Sequence, residues 1–315
     1  MIRCCNVLSA ALVLLLGAGA VSAQEAVLLR YKMDENDKLA YRTTTTMKQT
    51  QNFAGQTLQT EFTQSDVSLR TLEKVDEKGN FTLKTENKRL LVKGDLGPAG
   101  TYTFDSTSNE RARGNVVADA VNPLFDRLSG AILSVTISPR GEVVDAKGYE
   151  ELIGDIVKDN PVAAQFAGGG SDKAFKMGIA ENFAQFAEQP VKPGDKWEVP
   201  YEVELPKLGK AQGKRIYTYV GPDKVGERPT AKIDVVHELA FDLDVDSAGT
   251  KVTGKLSIDK SSGTVHFDPE KGQLVSLKHD YVLSGDISVE TNGNTIPVKT
   301  EQNQSSTVEL LDKLP

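Results

Sequence analysis

Three histidines, His237, His266 and His279, are the only imidazoles in the chain, and imidazole is the side chain best suited to proton transfer near neutral pH and to divalent metals. His237 and His279 fall on the apolar parity of two alternating β runs. If those strands adjoin, the pair could build a metal or acid–base site. A histidine on an apolar strand face is also an ordinary packed residue, so a carboxylate beside both rings at a cleft would be needed to favour an enzyme. Asp242-x-Asp244-x-Asp246 has the opening spacing of a calcium loop. The rest of such a loop is missing: Ser247 stands where glycine is needed, Thr253 stands where a bidentate glutamate is needed, and Leu243 and Val245 continue a strand. These carboxylates therefore read as solvent face. No G-x-S-x-G elbow occurs, and Gly168 to Gly170, just ahead of Ser171, lacks the lysine of a phosphate loop. Asp155 and Asp159 share the outer side of a helical run, and Trp197, beside a turn, reads as a plug at the end of a sheet. No catalytic residue, cofactor or metal site is expected.

Phe175, Ile179, Phe183 and Phe186 recur at spacings of four, four and three behind Asp172, a capping residue type. That predicts one helical stripe, facing the apolar strand positions Val235, Leu239, Leu277 and Tyr281. The residues expected to bind are therefore Phe175, Ile179, Phe183, Phe186, His237, His279 and Tyr281, around an apolar or lipid-like ligand, with the glycine joint as hinge.

The elements that must position these residues are mostly strands. Leu133, Val135 and Ile137 alternate with polar residues, Pro139 to Gly141 turns the chain, and Glu142 to Ala146 returns as a hairpin. Asn122-Pro123 and Asn160-Pro161 each read as a capped helix start. Before them, a threonine-rich strand from about Ala40 to Asn52, following an Asn36-Asp37-Lys38 turn, carries little apolar area and reads as a sheet edge or a strand with two wet faces. The second half opens at Pro193-Gly194-Asp195. Its strongest strand is Ala231 to Val245, with turns expected at Ser247 to Gly249 and Asn292-Gly293. Gly100-Thr101-x-x-Phe104-Asp105 matches Gly263-Thr264-x-x-Phe267-Asp268, a hint of duplication.

At the start, Arg3, the apolar run Val7 to Ala20 and Val21-Ser22-Ala23 form an export leader, with cleavage after Ala23 and Gln24 as the new terminus. Cleavage would leave 292 of 315 residues and remove both cysteines, Cys4 and Cys5, so no disulfide or thiol chemistry is expected. No later stretch is long and apolar enough for a membrane span. The formal charge of −7 becomes −8 without Arg3, which argues against nucleic acid or an anionic membrane as partner.

The leader, the threonine-rich first hairpin, Ser138-Pro139-x-Gly141-x-Val143 and Gly194-Asp195-Lys196-Trp197 together resemble a family of secreted bacterial proteins catalogued as a domain of unknown function. The resemblance covers most of the mature chain and implies two antiparallel β halves and an exported location, with no catalytic residues. The expected fold is α+β, with two antiparallel β-sheets or half-barrels joined by a central helical segment. Its parts are a leader at 1–23, an N-terminal β half at 24–114, a helical segment with one hairpin at 115–192 and a C-terminal β half at 193–315. The expected function is a non-catalytic periplasmic or secreted protein binding an apolar or lipid-like ligand between helices and sheet. The alternative is a structural or protein-interaction module that binds another envelope protein.

Overall fold

The computed structural model describes residues 25–35, 37–108, 111, 116–168, 170–205, 209–247, 250–291 and 293–314. The leader with Cys4, Cys5 and the Ala23–Gln24 junction lies outside them, as do Asn36, Gly169, Ala248, Gly249 and Asn292 of the expected turns.

Among the described residues, twelve strands belong to one antiparallel sheet. The first six are β1 (Lys38–Phe53), β2 (Gln56–Val75), β3 (Phe81–Asp95), β4 (Thr101–Asp105), β5 (Ile132–Ile137) and β6 (Val143–Lys147). After the helices come β7 (Lys196–Leu205), β8 (Gly209–Val225), β9 (Arg228–Ser247), β10 (Thr250–Asp268), β11 (Gln273–Thr291) and β12 (Asn294–Leu311). The order is β6-β5-β3-β2-β1-β12-β11-β10-β9-β8-β7, with β4 on the side of β3. Helices α1 (Val116–Leu128), α2 (Tyr149–Lys158), α3 (Pro161–Phe166) and α4 (Asp172–Ala180) cover part of it. No described helix is long and apolar enough to cross a membrane.

This corrects the expected α+β fold. The chain is mostly β, and there are not two sheets or half-barrels joined by helices, because β1 pairs with β12 from Ala40–Leu311 to Phe53–Val298 and joins both ends of the chain into one sheet. The threonine-rich β1 is the cause. Its lack of apolar area reads as an edge, yet it is hydrogen-bonded on both sides, by β2 and β12. Thr44 and Thr46 bond Ser65 and Thr63 across to β2 at 3.1 Å each. Cross-strand hydroxyl pairs of this kind hold a strand without apolar burial.

The sheet curls until both ends share a core. Phe81, Val135 and Val143 from one end pack in the same cluster as Tyr217, Ile233 and Val265 from the other. Its centre is aromatic: Tyr31 lies 5.4 Å from Phe186 and 5.3 Å from Phe267, and Phe186 lies 4.4 Å from Phe267. A second core joins the helices to β3 and β4 through Leu90, Val92, Phe104, Leu124, Phe125 and Ile153.

Local readings also change. Pro123 lies inside α1 rather than at its start, and the Asn122 side-chain Oδ1 accepts from the Tyr102 hydroxyl at 2.9 Å. Ser171 caps α4 through the Ala174 amide, while the Asp172 carboxylate accepts the Tyr149 and Glu150 amides and so caps α2. Helix α4 ends at Ala180, so Phe183 and Phe186 do not continue its stripe. Tertiary bonds override the helical period there: the Ala184 amide donates to the Tyr31 hydroxyl at 3.1 Å, and the Phe186 amide donates to the Arg140 carbonyl at 2.8 Å. Gly141 makes this approach possible, since at φ +86° a Cβ would lie 2.0 Å from the Ala184 carbonyl oxygen.

The four stripe residues should therefore behave as two pairs. Phe186→Ala should cost about 3–5 kcal/mol in chemical denaturation, as cavity formation in a tight core does. Phe175→Ala, beside space that already exists, should cost clearly less. Equal losses would contradict the division.

Candidate functional site

Opposed residues of paired strands share a face, so register gives the inner surface directly. His279 opposes Ser306, Ser306 opposes Thr45, and Thr45 opposes Gln64, giving a polar row across β11, β12, β1 and β2. Thr43 and Asp66 form a pair in the next row, and further along β2 Ser68 opposes Asn87 and Arg70 opposes Thr85 on β3. Above this floor lie apolar side chains: Phe125 and Leu128 of α1, Tyr149 of α2, Phe166 of α3, and Phe175 and Ile179 of α4. Between floor and roof lies a half-open cavity of about 440 Å³. Phe175 is held at its rim by stacking on Tyr149, 4.9 Å between centroids and 13° between planes.

The floor is not self-satisfied. Thr45 and Ser306 bond each other at 3.0 Å, but Thr43 Oγ1, Asn87 Oδ1 and His279 Nε2 are buried with no hydrogen-bond partner. Each such atom costs on the order of 1–3 kcal/mol. A ligand or water bonding them recovers that cost.

At one end of the cavity the two predicted histidines do meet. His237 and His279 sit on β9 and β11, with β10 between them, yet their rings are 5.2 Å apart. Gly263 of β10 permits this: it opposes both Val235 and His279, and a Cβ there would lie 2.7 Å from the Lys278 carbonyl oxygen and 2.7 Å from Val235. Tyr281 lies 6.0 Å from His237 and 6.3 Å from His279, ring to ring. A carboxylate joins them. Glu181, immediately after α4, has Oε2 3.9 Å from His279 Nε2 and forms an ion pair with the buried Arg215. Arg215 in turn lies 4.9 Å over the Tyr201 ring.

Glu181, His237 and His279 each bring a metal-ligating atom within 4.8 Å of the others. A divalent ion there would share one carboxylate with the fixed charge of Arg215, and burying that excess positive charge is unfavourable. Burial holds His237 down at about 4, partly offset by Glu181, and also lowers His279. Both rings are neutral at pH 7. Tyr281 is raised by burial, reinforced by the Glu181 charge. On the floor, burial pushes Asp66 up to about 6, with Arg70 opposing.

The remaining expected residues divide as follows. Phe175, Ile179 and His279 line the cavity; His237 and Tyr281 stand behind its end; Phe183 and Phe186 belong to the main core. His266 is elsewhere, between Ser276 at 3.2 Å and Asp223 at 3.3 Å. Trp197 is half-buried, stacked on Tyr217 at 5.4 Å, and donates to the Gln185 carbonyl at 2.8 Å. Sequence reasoning missed Thr43, Asp66, Asn87, Glu181 and Arg215. The threonine run held the usable signal, since odd-numbered hydroxyls on a strand bonded on both sides must face either solvent or a cavity.

Two of these shifts oppose each other in pH. His237, pulled from 6.5 to about 4, binds its proton more weakly when folded, so stability is lost as pH falls from 6.5 towards 4, and His279 acts in the same direction. Asp66, raised from 3.8 to about 6, favours the folded state as pH falls from 6 towards 3.8. Asp66→Asn removes that offset, so its melting temperature should fall more steeply than wild type between pH 6.5 and 4. A slope equal to or shallower than wild type would contradict the assignment.

Comparison with solved structures gives only distant likenesses. OccK2 (OpdF) of Pseudomonas aeruginosa matches at 8% identity and TM-score 0.23, over 88% of this chain and 100% of that one. OccAB4 of Acinetobacter baumannii matches at 6% and 0.23, over 88% and 99%. A loop-deletion mutant of OmpT, an outer membrane protein of Vibrio cholerae, matches at 10% and 0.22, over 87% and 100%. Scores this low do not establish a shared fold. No curated protein matches the chain. A family model does match, over residues 78–274. That segment is more than half of the sequence and includes β3, the helices, Glu181, His237 and all of β10, and the chain belongs to the family of unknown function DUF6263.

Proposed function

We propose that the protein is an exported, non-catalytic binding protein that holds an apolar or lipid-like molecule between its helical segment and the concave face of its sheet. The cavity carries this reading: about 440 Å³, roofed by Phe125, Phe166, Phe175 and Ile179 and floored by polar side chains, three of them with unpartnered atoms. That volume lies in the range of sites for small organic ligands, roughly 300–1,000 Å³. Export rests on the leader formed by Arg3, Val7 to Ala20 and Ala23. Binding another envelope protein in place of a small ligand would leave the unpartnered floor atoms without a role.

One observation favours an enzyme, namely Glu181 beside two imidazoles at the cavity end. Its chemistry is weak for that task. The carboxylate is engaged by Arg215, and burial lowers both imidazoles, His237 to about 4, so neither carries a proton at pH 7 to give as a general acid.

Wild-type protein should bind the neutral dye Nile red with a blue-shifted emission, and native mass spectrometry of protein from its own host should retain a bound small molecule. Ile179→Trp fills the roof side of the cavity, so it should lower dye affinity at least about tenfold while melting within a few degrees of wild type. Undiminished dye binding by this variant would remove the cavity from the explanation.

A further inference from the structure

The polarity of the cavity is divided by face and not by end. One wall is the row His279, Ser306, Thr45 and Gln64 with Thr43 and Asp66 beside it, all on strands. The facing wall comes mainly from the helices and is hydrocarbon and aromatic except for Glu181 and Asn182, which follow α4. At strand spacing the polar row is roughly 14 Å long, so it runs the width of a small ring system. A molecule with a polar head at one end and a chain at the other would leave part of its chain over the row and part of its head under the roof.

The floor also specifies hydrogen-bond type. Asn87 Oδ1 accepts only, the Asp66 carboxylate accepts, Thr43 Oγ1 donates and accepts, and His279 Nε2 is unpartnered. Hydroxyl groups, which both donate and accept, satisfy all four. Charge narrows the class further. No lysine or arginine lies among the described lining residues, whereas Asp66 and Glu181 do, so an anionic group would be desolvated beside carboxylates with no free cation to meet it. Arg215 is already committed to Glu181, and the Arg70 guanidinium lies between the rings of Tyr41, at 4.3 Å, and Phe183, at 4.5 Å.

We propose that the ligand is an uncharged, facially amphipathic molecule, with hydroxyls along one side lying on the strands and hydrocarbon along the other lying under the helices. This rests on the reading of the cavity as a binding site and gives that site its ligand class.

Three probes on the wild-type protein separate the alternatives: a bile alcohol, which is neutral and hydroxylated on one face; monoolein, which is neutral with its hydroxyls at one end; and oleate, which is anionic. Calorimetry should rank the bile alcohol tightest, by about tenfold or more over monoolein, with oleate weakest. Oleate or monoolein binding as tightly as the bile alcohol would overturn the proposal. Thr43→Val should weaken the bile alcohol about tenfold, roughly one net hydrogen bond, while circular dichroism shows it folded as wild type is. Unchanged bile alcohol affinity in that variant would also overturn it. If the dye binds and the bile alcohol does not, the ligand class is wrong while the binding site stands; if neither binds, the binding site itself is wrong.

Discussion

A single antiparallel sheet with two free edges has a concave face that it cannot bury alone. In this protein a cluster of aromatic rings does so: Tyr31, Phe183, Phe186 and Phe267 meet inside the curl, and residues from both ends of the sheet pack around them. The first ring comes from a segment ahead of β1, the next two from the segment after α4, and the last from β10. Backbone bonds fasten these pieces, including Val27 with Val191 at 2.9 Å, Tyr31 to Pro139 at 2.8 Å and Lys32 to Gly272 at 3.0 Å. Burial of a large aromatic is worth roughly 1.5–3 kcal/mol, which is a sizeable part of a domain's net stability for each ring. Without that cluster the curl has no interior, and the cavity has no fixed walls.

The cavity exists because the core stops short. From Leu277 and Val308 the inner face changes within one row to His279 and Ser306, and then to Gln304. Apolar closure against the sheet is lost at that row, while the helices above remain apolar because their second core with β3 and β4 needs them so. Arg70 shows how the boundary is held. It is buried at 4% exposure two rows below Thr43 and Asp66, and its charge rests on the faces of Tyr41 and Phe183. Asp66, two positions along the same strand face, therefore gains only part of that charge, and burial prevails in raising its pKa.

Much of the strand content was legible, because alternation in Ala231 to Val245 and in the hairpin of β5 and β6 follows burial closely. So was the parity that puts His237 and His279 inside. The sheet count was not legible, since a threonine-rich strand looks alike at an edge and over a polar cavity, and only pairing with β12, more than 240 positions away, tells them apart. The helical stripe failed for a related reason: spacing continues through Phe183 and Phe186, but the hydroxyl of Tyr31 and the carbonyl of Arg140 draw the chain out of the helix. The duplicated Gly-Thr-x-x-Phe-Asp pattern proved local. Phe104 and Phe267 are both fully buried, and each following aspartate accepts turn amides, yet β4 lies to the side of the sheet and β10 lies within it.

Glu181 links these two levels. It follows α4 directly, so the position of the helix that carries Phe175 and Ile179 is tied through one carboxylate to Arg215 on β8. Arg215 is buried and Glu181 is half-buried, and a pair of this kind is worth little for stability while the loss of the partner of the buried charge is costly. Its effect here is positional. Helix α4 cannot lift from the sheet without stripping the buried Arg215 of its partner, so the roof that Ile179 contributes is held at a defined height over His279. Apolar packing alone would allow α4 to settle onto the floor and close the space; a fixed ion pair at its end, together with Ser171 and Asp172 bonded at its start, keeps floor and roof apart.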